Sequence, residues 1–224
     1  MESVLIAAVS AVQAYLLGSI DTGILVSKFL YHDDVRKYGS GAAGMTNMLR
    51  TFGKKAAALT AFGDVLKGVL AVCIGRWLFT QMPESTTLSP YLAVYLAAIF
   101  AIIGHLKPLY FGFKGGKGVA TLVGAVLGIH PITVLLCFGI WFIVLMITHY
   151  VSLSSMIAGC CFPVFVLLSP KINHSVPLVV FSFVIAALLI WTHRKNIDRL
   201  KKGTESKIYI WRPVASRRRN DPDK

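Results

Sequence analysis

Acidic side chains are scarce in this chain. Aspartate and glutamate number 10 against 23 lysines and arginines in 224 residues, a formal charge of +13. The four cysteines, Cys73, Cys137, Cys160 and Cys161, all sit in apolar runs without metal-type spacing, so they read as small packing residues. No basic stretch precedes the first apolar run, and that run is long enough to span a bilayer, so no cleavable signal peptide is expected. No internal repeat is visible, and low complexity is confined to the terminal RRRNDPDK. A Walker A loop is missing as well: in the GGKG at 115–118, Gly118 follows Lys117 where that loop needs Ser or Thr.

Apolar residues are abundant. They make up 55% of the chain, and the mean hydropathy of +0.67 excludes an ordinary soluble domain. Apolar stretches cover residues 4–30, 56–79, 90–103, 119–168 and 176–192. The fourth is too long for one crossing, since about 20 residues span a ~30 Å core. Breaks at 128–131 and 152–155 divide it in three. The reading is an all-α integral membrane protein, a bundle of seven transmembrane helices, or five if later segments fuse. Residues 1–212 form one polytopic domain, and 213–224 form a basic, disordered, lipid-facing tail.

Charge sets the expected orientation. Twenty of the 23 basic residues lie around the first loop, in 107–117, or after Thr192. The positive-inside rule puts these three segments in the cytoplasm, with the N-terminus external and the C-terminus cytoplasmic. The loops 80–89 and 169–175 hold only Lys171. Charge placed at membrane ends reflects orientation and anionic headgroups, so nucleic acid is not an expected partner.

Each basic segment carries groups suited to a phosphate. In GHLKPLYFGFKGGKGVAT (104–121), Gly115, Gly116 and Gly118 would let backbone N–H groups approach an anion. Lys114 and Lys117 add countercharge, and the following run reads as a helix N-terminus. A bland alternative is a basic turn with flexible glycines. In the first loop, Ser40 stands among Gly39, Gly41 and Gly44, followed by Thr46, Asn47 and Arg50. Asn47 and Arg50 share a face if 46–55 is helical. The tail opens with HRKNIDRLKKGTESK, where a helix would present His193, Asn196 and Arg199 together, stopping near Gly203 before Glu205. Asp64 and Lys67 lie ~12 Å into the second crossing. Their spacing favours a structural ion pair, the alternative being that they orient the loops above them. His149 and the serines of 152–155 read as a polar turn that can add a hydroxyl.

Together, GSGAAGMTNMLR, GHLKPLYFGFKGGKGVAT and HRKNIDRLKKGTESK resemble, in order and spacing, the three motifs of the bacterial acyl-phosphate:glycerol-3-phosphate acyltransferase family (PlsY). The resemblance covers nearly the whole chain. It implies seven helices in the bacterial inner membrane and an active site on the cytoplasmic side. It also implies transfer of an acyl chain from acyl phosphate to the sn-1 hydroxyl of glycerol 3-phosphate, giving lysophosphatidic acid and phosphate, with neither metal, coenzyme A nor other cofactor. Carried over by position, Ser40, Arg50, His193 and Asn196 are catalytic. Asn47, Lys114, Gly115, Gly116, Lys117, Gly118 and Thr121 bind substrate, while Glu205 is structural. Membrane lipids and the synthase that supplies acyl phosphate are the implied partners. The chain departs from the family pattern at Asp21, Ala42, Met45 and Lys107. Those departures motivate a divergent paralogue acting as a lipid or phosphate sensor, and an organic-phosphate transporter is a further alternative.

Overall fold

Where nearly every position is apolar, helix ends are set by caps rather than by a change of period. The computed structural model describes residues 2–81, 90–168 and 176–209, and these fold into ten α-helices joined by turns. They are α1 (Glu2–Gly18), α2 (Thr22–Tyr31), α3 (Met45–Phe52), α4 (Lys54–Thr80), α5 (Pro90–Leu106), α6 (Val119–Ile129), α7 (Pro131–Thr148), α8 (Val151–Leu168), α9 (Val176–Thr192) and α10 (Arg194–Lys201). Loop 82–89, loop 169–175 with Lys171, and the tail 213–224 lie outside the described residues.

The first span, Val4–Tyr31, contains a break at which Asp21 starts α2 by accepting a hydrogen bond from the Ile24 N–H at 3.2 Å. Lys54–Thr80, Tyr91–Phe111, Pro131–Thr148 and Val151–Leu168 are also long and apolar enough to cross. A sixth candidate joins α9 to α10 through a bend of 56°. At about 16 Å, the 11-residue α6 is too short to cross a ~30 Å core alone.

The expected break at 128–131 falls at His130, where Pro131 opens α7 at a position that needs no N–H partner. The break expected at 152–155 lies earlier. The chain turns at His149, whose φ is 61°, and α8 begins at Val151. Serine does not stop this helix, because Ser154 and Ser155 donate to the carbonyls of Tyr150 and Val151, one turn back. A second reading also shifts: Cys73 and Cys160 face outward from the bundle, whereas Cys137 and Cys161 are half-buried.

With lipid outside, packing inside depends on small residues that let backbones approach. A Cβ on Gly18 would overlap the Ala101 backbone and one on Gly104 the Tyr15 carbonyl, which clamps α1 to α5. Likewise a Cβ on Gly68 would overlap the Thr121 carbonyl and one on Gly124 the Val65 carbonyl, clamping α4 to α6. Large side chains fill the other half of the bundle, where Val72, Tyr95, Val126, Phe162, Phe181 and Ile185 form a buried cluster. Phe62, Leu135, Ile143 and Phe183 are exposed on its outer surface, as a lipid-facing protein requires.

One chemical change should therefore have opposite effects at two glycines. Gly124→Ala forces a methyl into the Val65 backbone, whereas a Cβ on Gly139 meets nothing within 4 Å. Overpacking costs about 1–3 kcal/mol, or about 2–4 °C per kcal/mol in a chain of this size. The thermal midpoint in detergent should fall by about 5 °C for Gly124→Ala and hold or rise for Gly139→Ala, because alanine is the better helix former.

Candidate active site

The first loop is organised from within by Asn47, at the start of α3. Its side-chain amide donates to the carbonyls of Val35 at 3.2 Å, Tyr38 at 3.0 Å and Ala42 at 3.0 Å. Its Oδ1 accepts the Ser40 N–H at 3.2 Å. Gly39 and Gly41, with φ of 55° and 70°, take the left-handed conformations on either side of Ser40. Ser40 is exposed at the rim of a cavity, while the polar atoms of Asn47 are spent on the loop itself. One helical turn on, Arg50 also borders the cavity and donates to the Ser206 carbonyl at 3.0 Å.

The glycine-lysine loop divides into two parts. Gly115 and Gly116 press on the end of α5: a Cβ on Gly115 would overlap the His105 carbonyl, and one on Gly116 the His105 ring. The Gly116 N–H donates to that carbonyl at 3.2 Å, so it is already engaged. Arg36, paired with Asp34 at 2.7 Å, donates to the carbonyls of Phe111 at 2.8 Å and Lys114 at 3.1 Å, tying this loop to the first. Lys117 and Gly118 line the cavity, and Gly118, at φ 80°, opens α6. Lys114 is exposed away from it. Thr121 is fully buried beside Gly68 on α4, its hydroxyl without a hydrogen-bond partner, and it does not line the cavity.

The third wall centres on the Glu205 carboxylate. Its Oε1 accepts from Ser152 Oγ and Asn196 Nδ2, each at 2.7 Å, and its Oε2 accepts from Arg199 Nε at 2.6 Å. Asn196 Oδ1 in turn accepts from Lys117 Nζ at 2.6 Å, joining the second and third segments. His193, 2% exposed at the bend after α9, donates from Nδ1 to the Leu189 carbonyl at 2.8 Å. That bond fixes the tautomer and leaves Nε2 as the accepting nitrogen.

Environment sets the charges. Burial pushes the Lys117 ammonium down to about 8; Glu205 opposes the shift, and Arg199 and Arg50 add to it. Burial, then Lys117, pushes the His193 imidazole down to about 4, so it is neutral at physiological pH. For Glu205, burial alone would raise the carboxyl, but hydrogen bonds from Ser152, Arg199 and Asn196 outweigh it and hold the group below its ordinary value.

The cavity encloses about 320 Å³. Its polar mouth holds Ser40, Arg50, Lys117, His193, Asn196 and Glu205, and its inner arm is walled by Leu122, Val126, Phe138, Trp141, Phe162 and Ile185. A mouth of cations and hydrogen-bond donors on an apolar arm can hold a molecule with an anionic head and a hydrocarbon chain. Asp64 and Lys67 form the expected ion pair at 2.8 Å, and Asp64 also borders the cavity. Among the described residues, no three His, Cys, Asp or Glu side chains cluster as metal ligands would. Sequence reasoning missed Arg36, His105 and the role of Ser152 as a donor to Glu205. The one available signal was an ionisable His105 just after the apolar run 90–103.

Known proteins resemble this chain in sequence and in fold. A family model described as glycerol-3-phosphate acyltransferase matches residues 8–203. The glycerol-3-phosphate acyltransferase of Clostridioides difficile (strain 630) is 46% identical over 198 residues, covering 88% of this chain and 93% of its own. That of Thermoanaerobacter sp. (strain X514) is 41% identical over 202 residues, covering 90% and 96%. The crystal structure of PlsY (YgiH), an integral membrane glycerol 3-phosphate acyltransferase, is similar in its glycerol 3-phosphate form with a TM-score of 0.80 and 35% identity, over 91% of this chain and 96% of that one. Its lysophosphatidic acid form gives 0.77 and 34%, over 91% and 95%.

The Lys117 environment gives a pH signature. Below about 8 the amine is charged and attracts an anion; above it the charge is lost. Affinity for sulfate, which stays a dianion across this range, measured by calorimetry in detergent, should be level up to pH near 7.5 and fall above about 8. Glu205→Gln removes the group that sustains the charge, so the decline should begin at lower pH.

Proposed function

The chain belongs to the glycerol-3-phosphate acyltransferase family, and from that premise we propose that it moves an acyl chain from acyl phosphate to the sn-1 hydroxyl of glycerol 3-phosphate. Phosphate leaves and lysophosphatidic acid stays in the membrane. The observation that carries this reading is the cavity itself, in which an apolar arm opens onto Lys117, Arg50 and Arg199 around one carboxylate. In this reading the arm holds the acyl chain, and the mouth holds two phosphates.

The chemistry needs little beyond placement, because acyl phosphate is a mixed anhydride with a good leaving group. The glycerol hydroxyl attacks the acyl carbonyl carbon, the bond from that carbon to the phosphate oxygen breaks, and the hydroxyl proton passes to a substrate phosphate oxygen. His193 Nε2 accepts a hydrogen bond from the second glycerol hydroxyl, which aims the attacking one. Ser40 and Arg50 hold one phosphate against the first loop, and Lys117 and Arg199 hold the other. Asn196 orients Lys117 through its 2.6 Å bond, and Glu205 holds Asn196 and Arg199 in place. Metal, coenzyme A and other cofactors have no part in the scheme.

The proposal extends to topology. Seven crossings, counting α6 as a short helix packed within the bundle, put the N-terminus outside and the basic C-terminus in the cytoplasm of a bacterial inner membrane. The concentration of basic residues beside the three site segments supports that orientation. A synthase of acyl phosphate would then supply the donor from the same side.

Purified protein in detergent, given acyl phosphate and glycerol 3-phosphate, should release phosphate and form lysophosphatidic acid in equal amounts. Ser40→Ala and His193→Ala should each lower kcat/KM by about 100-fold or more, while Lys117→Ala should mainly raise KM. Equal turnover with acyl coenzyme A as donor would refute the assignment.

A further inference from the structure

Lys67 lies in the middle of α4, 5% exposed, and its ammonium reaches three elements. Asp64 Oδ1 on the same helix is 2.8 Å away. The Ile20 carbonyl, in the break between α1 and α2, accepts at 2.9 Å. His105 Nδ1, at the end of α5, lies at 2.9 Å. An ammonium only donates, so His105 Nδ1 accepts and its Nε2 carries the ring proton. Asp64 Oδ1 stands 3.6 Å from His105 Nδ1, completing a buried cluster. An ion pair serving stability alone would be complete within α4.

Each outward bond leads to one wall of the site. Ile20 precedes Asp21, which caps α2 through the Ile24 N–H. On α2, Gly23 sits so close to Ala43 that a Cβ would overlap the Ala43 carbonyl, and Ala43 belongs to the loop that carries Ser40. On the other side, the His105 carbonyl accepts from the Gly116 N–H, and both Gly115 and Gly116 pack against this residue. The next residue is Lys117. Lys67 itself does not line the cavity.

We propose that Lys67 is a positioning residue that, through Ile20 and His105, fixes the Ser40 wall and the Lys117 wall at the one spacing at which two anionic substrates can react. This rests on the acyl-transfer reading above. Each wall keeps its own anion-binding groups when the node is lost, so binding of either substrate survives while their mutual placement does not. Misplacement by about 1 Å costs on the order of 100-fold in rate.

The test removes the charge pair as a unit, because deleting Lys67 alone would strand a buried carboxylate. In D64N/K67M, kcat should fall about 100-fold, while the Kd for glycerol 3-phosphate from calorimetry changes by less than about 3-fold. Gly116→Ala, which pushes a methyl into the His105 ring, should give the same kcat-selective loss and add little in the D64N/K67M background. If the double variant does not fold, H105L and H105N make the same comparison. Leucine removes the acceptor and should lose kcat, whereas asparagine keeps an acceptor near Nδ1 and should restore most of it. A kcat within about 3-fold of wild type in the folded variants overturns the proposal, as does a parallel loss of Kd and kcat. Absence of wild-type turnover from acyl phosphate and glycerol 3-phosphate overturns the acyl-transfer reading instead, and this inference with it.

Discussion

An ammonium at the mouth of an apolar cavity is a costly thing to keep, and the geometry of the site follows from how Lys117 is kept charged. Burial works against the charge, and Arg50 and Arg199 repel it. Glu205 is the compensating anion, although it does not touch Lys117 directly. It acts through Asn196, whose amide donates to the carboxylate while its carbonyl oxygen accepts from the amine. An amide is suited to that relay because it is donor and acceptor at once, which neither a carboxylate nor an ammonium can be. Ser152 and Arg199 complete the carboxylate, so the start of α8, α10 and the residues after Gly203 converge on one point. The third segment therefore both encloses the cavity and sets the charge of the second.

Lys67, buried, and Lys117, half-buried, show how the placement of partners separates structure from recognition. Lys67 is hydrogen-bonded to Ile20 and His105 and ion-paired with Asp64, all within the fold, and it does not line the cavity. For Lys117, Asn196 is the hydrogen-bond partner among the described residues, and its side chain borders the cavity. A donor-rich cation with one fixed bond is oriented but unsaturated, the condition for gripping an anion. One whose partners come from three elements of the fold, away from the cavity, is a joint.

The legibility of these roles in the sequence followed the same division. The helical membrane class, the three converging segments and the Asp64–Lys67 pair were readable because they depend on hydropathy, charge and i, i+3 spacing. What glycine and asparagine do was not readable. Gly115 and Gly116 fit an anion-binding loop by composition, yet their lack of a Cβ is required by the backbone and ring of His105, ten residues or more away. Asn47 lines the cavity and has the chemistry to bind phosphate, and its side chain also satisfies three carbonyls and one N–H within its own loop. The turn before α8 was misplaced by a few residues because serine hydroxyls satisfied the carbonyls one turn back and stayed helical, while His149 took the left-handed turn. In each case the deciding partner is a backbone group whose position only the fold defines.

The environment of His193 also bears on where the proton goes in the proposed reaction. Its Nδ1–H is bound to the Leu189 carbonyl, so Nε2 alone can accept, and burial beside Lys117 holds the imidazole near 4. A phosphate monoester takes up its second proton with a pKa of about 6. The phosphate dianion is thus the stronger base by about two units, roughly 100-fold in proton affinity. A neutral, low-basicity imidazole still accepts a hydrogen bond from the second glycerol hydroxyl well enough to aim the attacking one. It does so without competing for the proton, and without adding a positive charge that would repel Lys117. A carboxylate behind His193 would raise its basicity and undo this arrangement; a backbone carbonyl holds the ring in place and raises it far less.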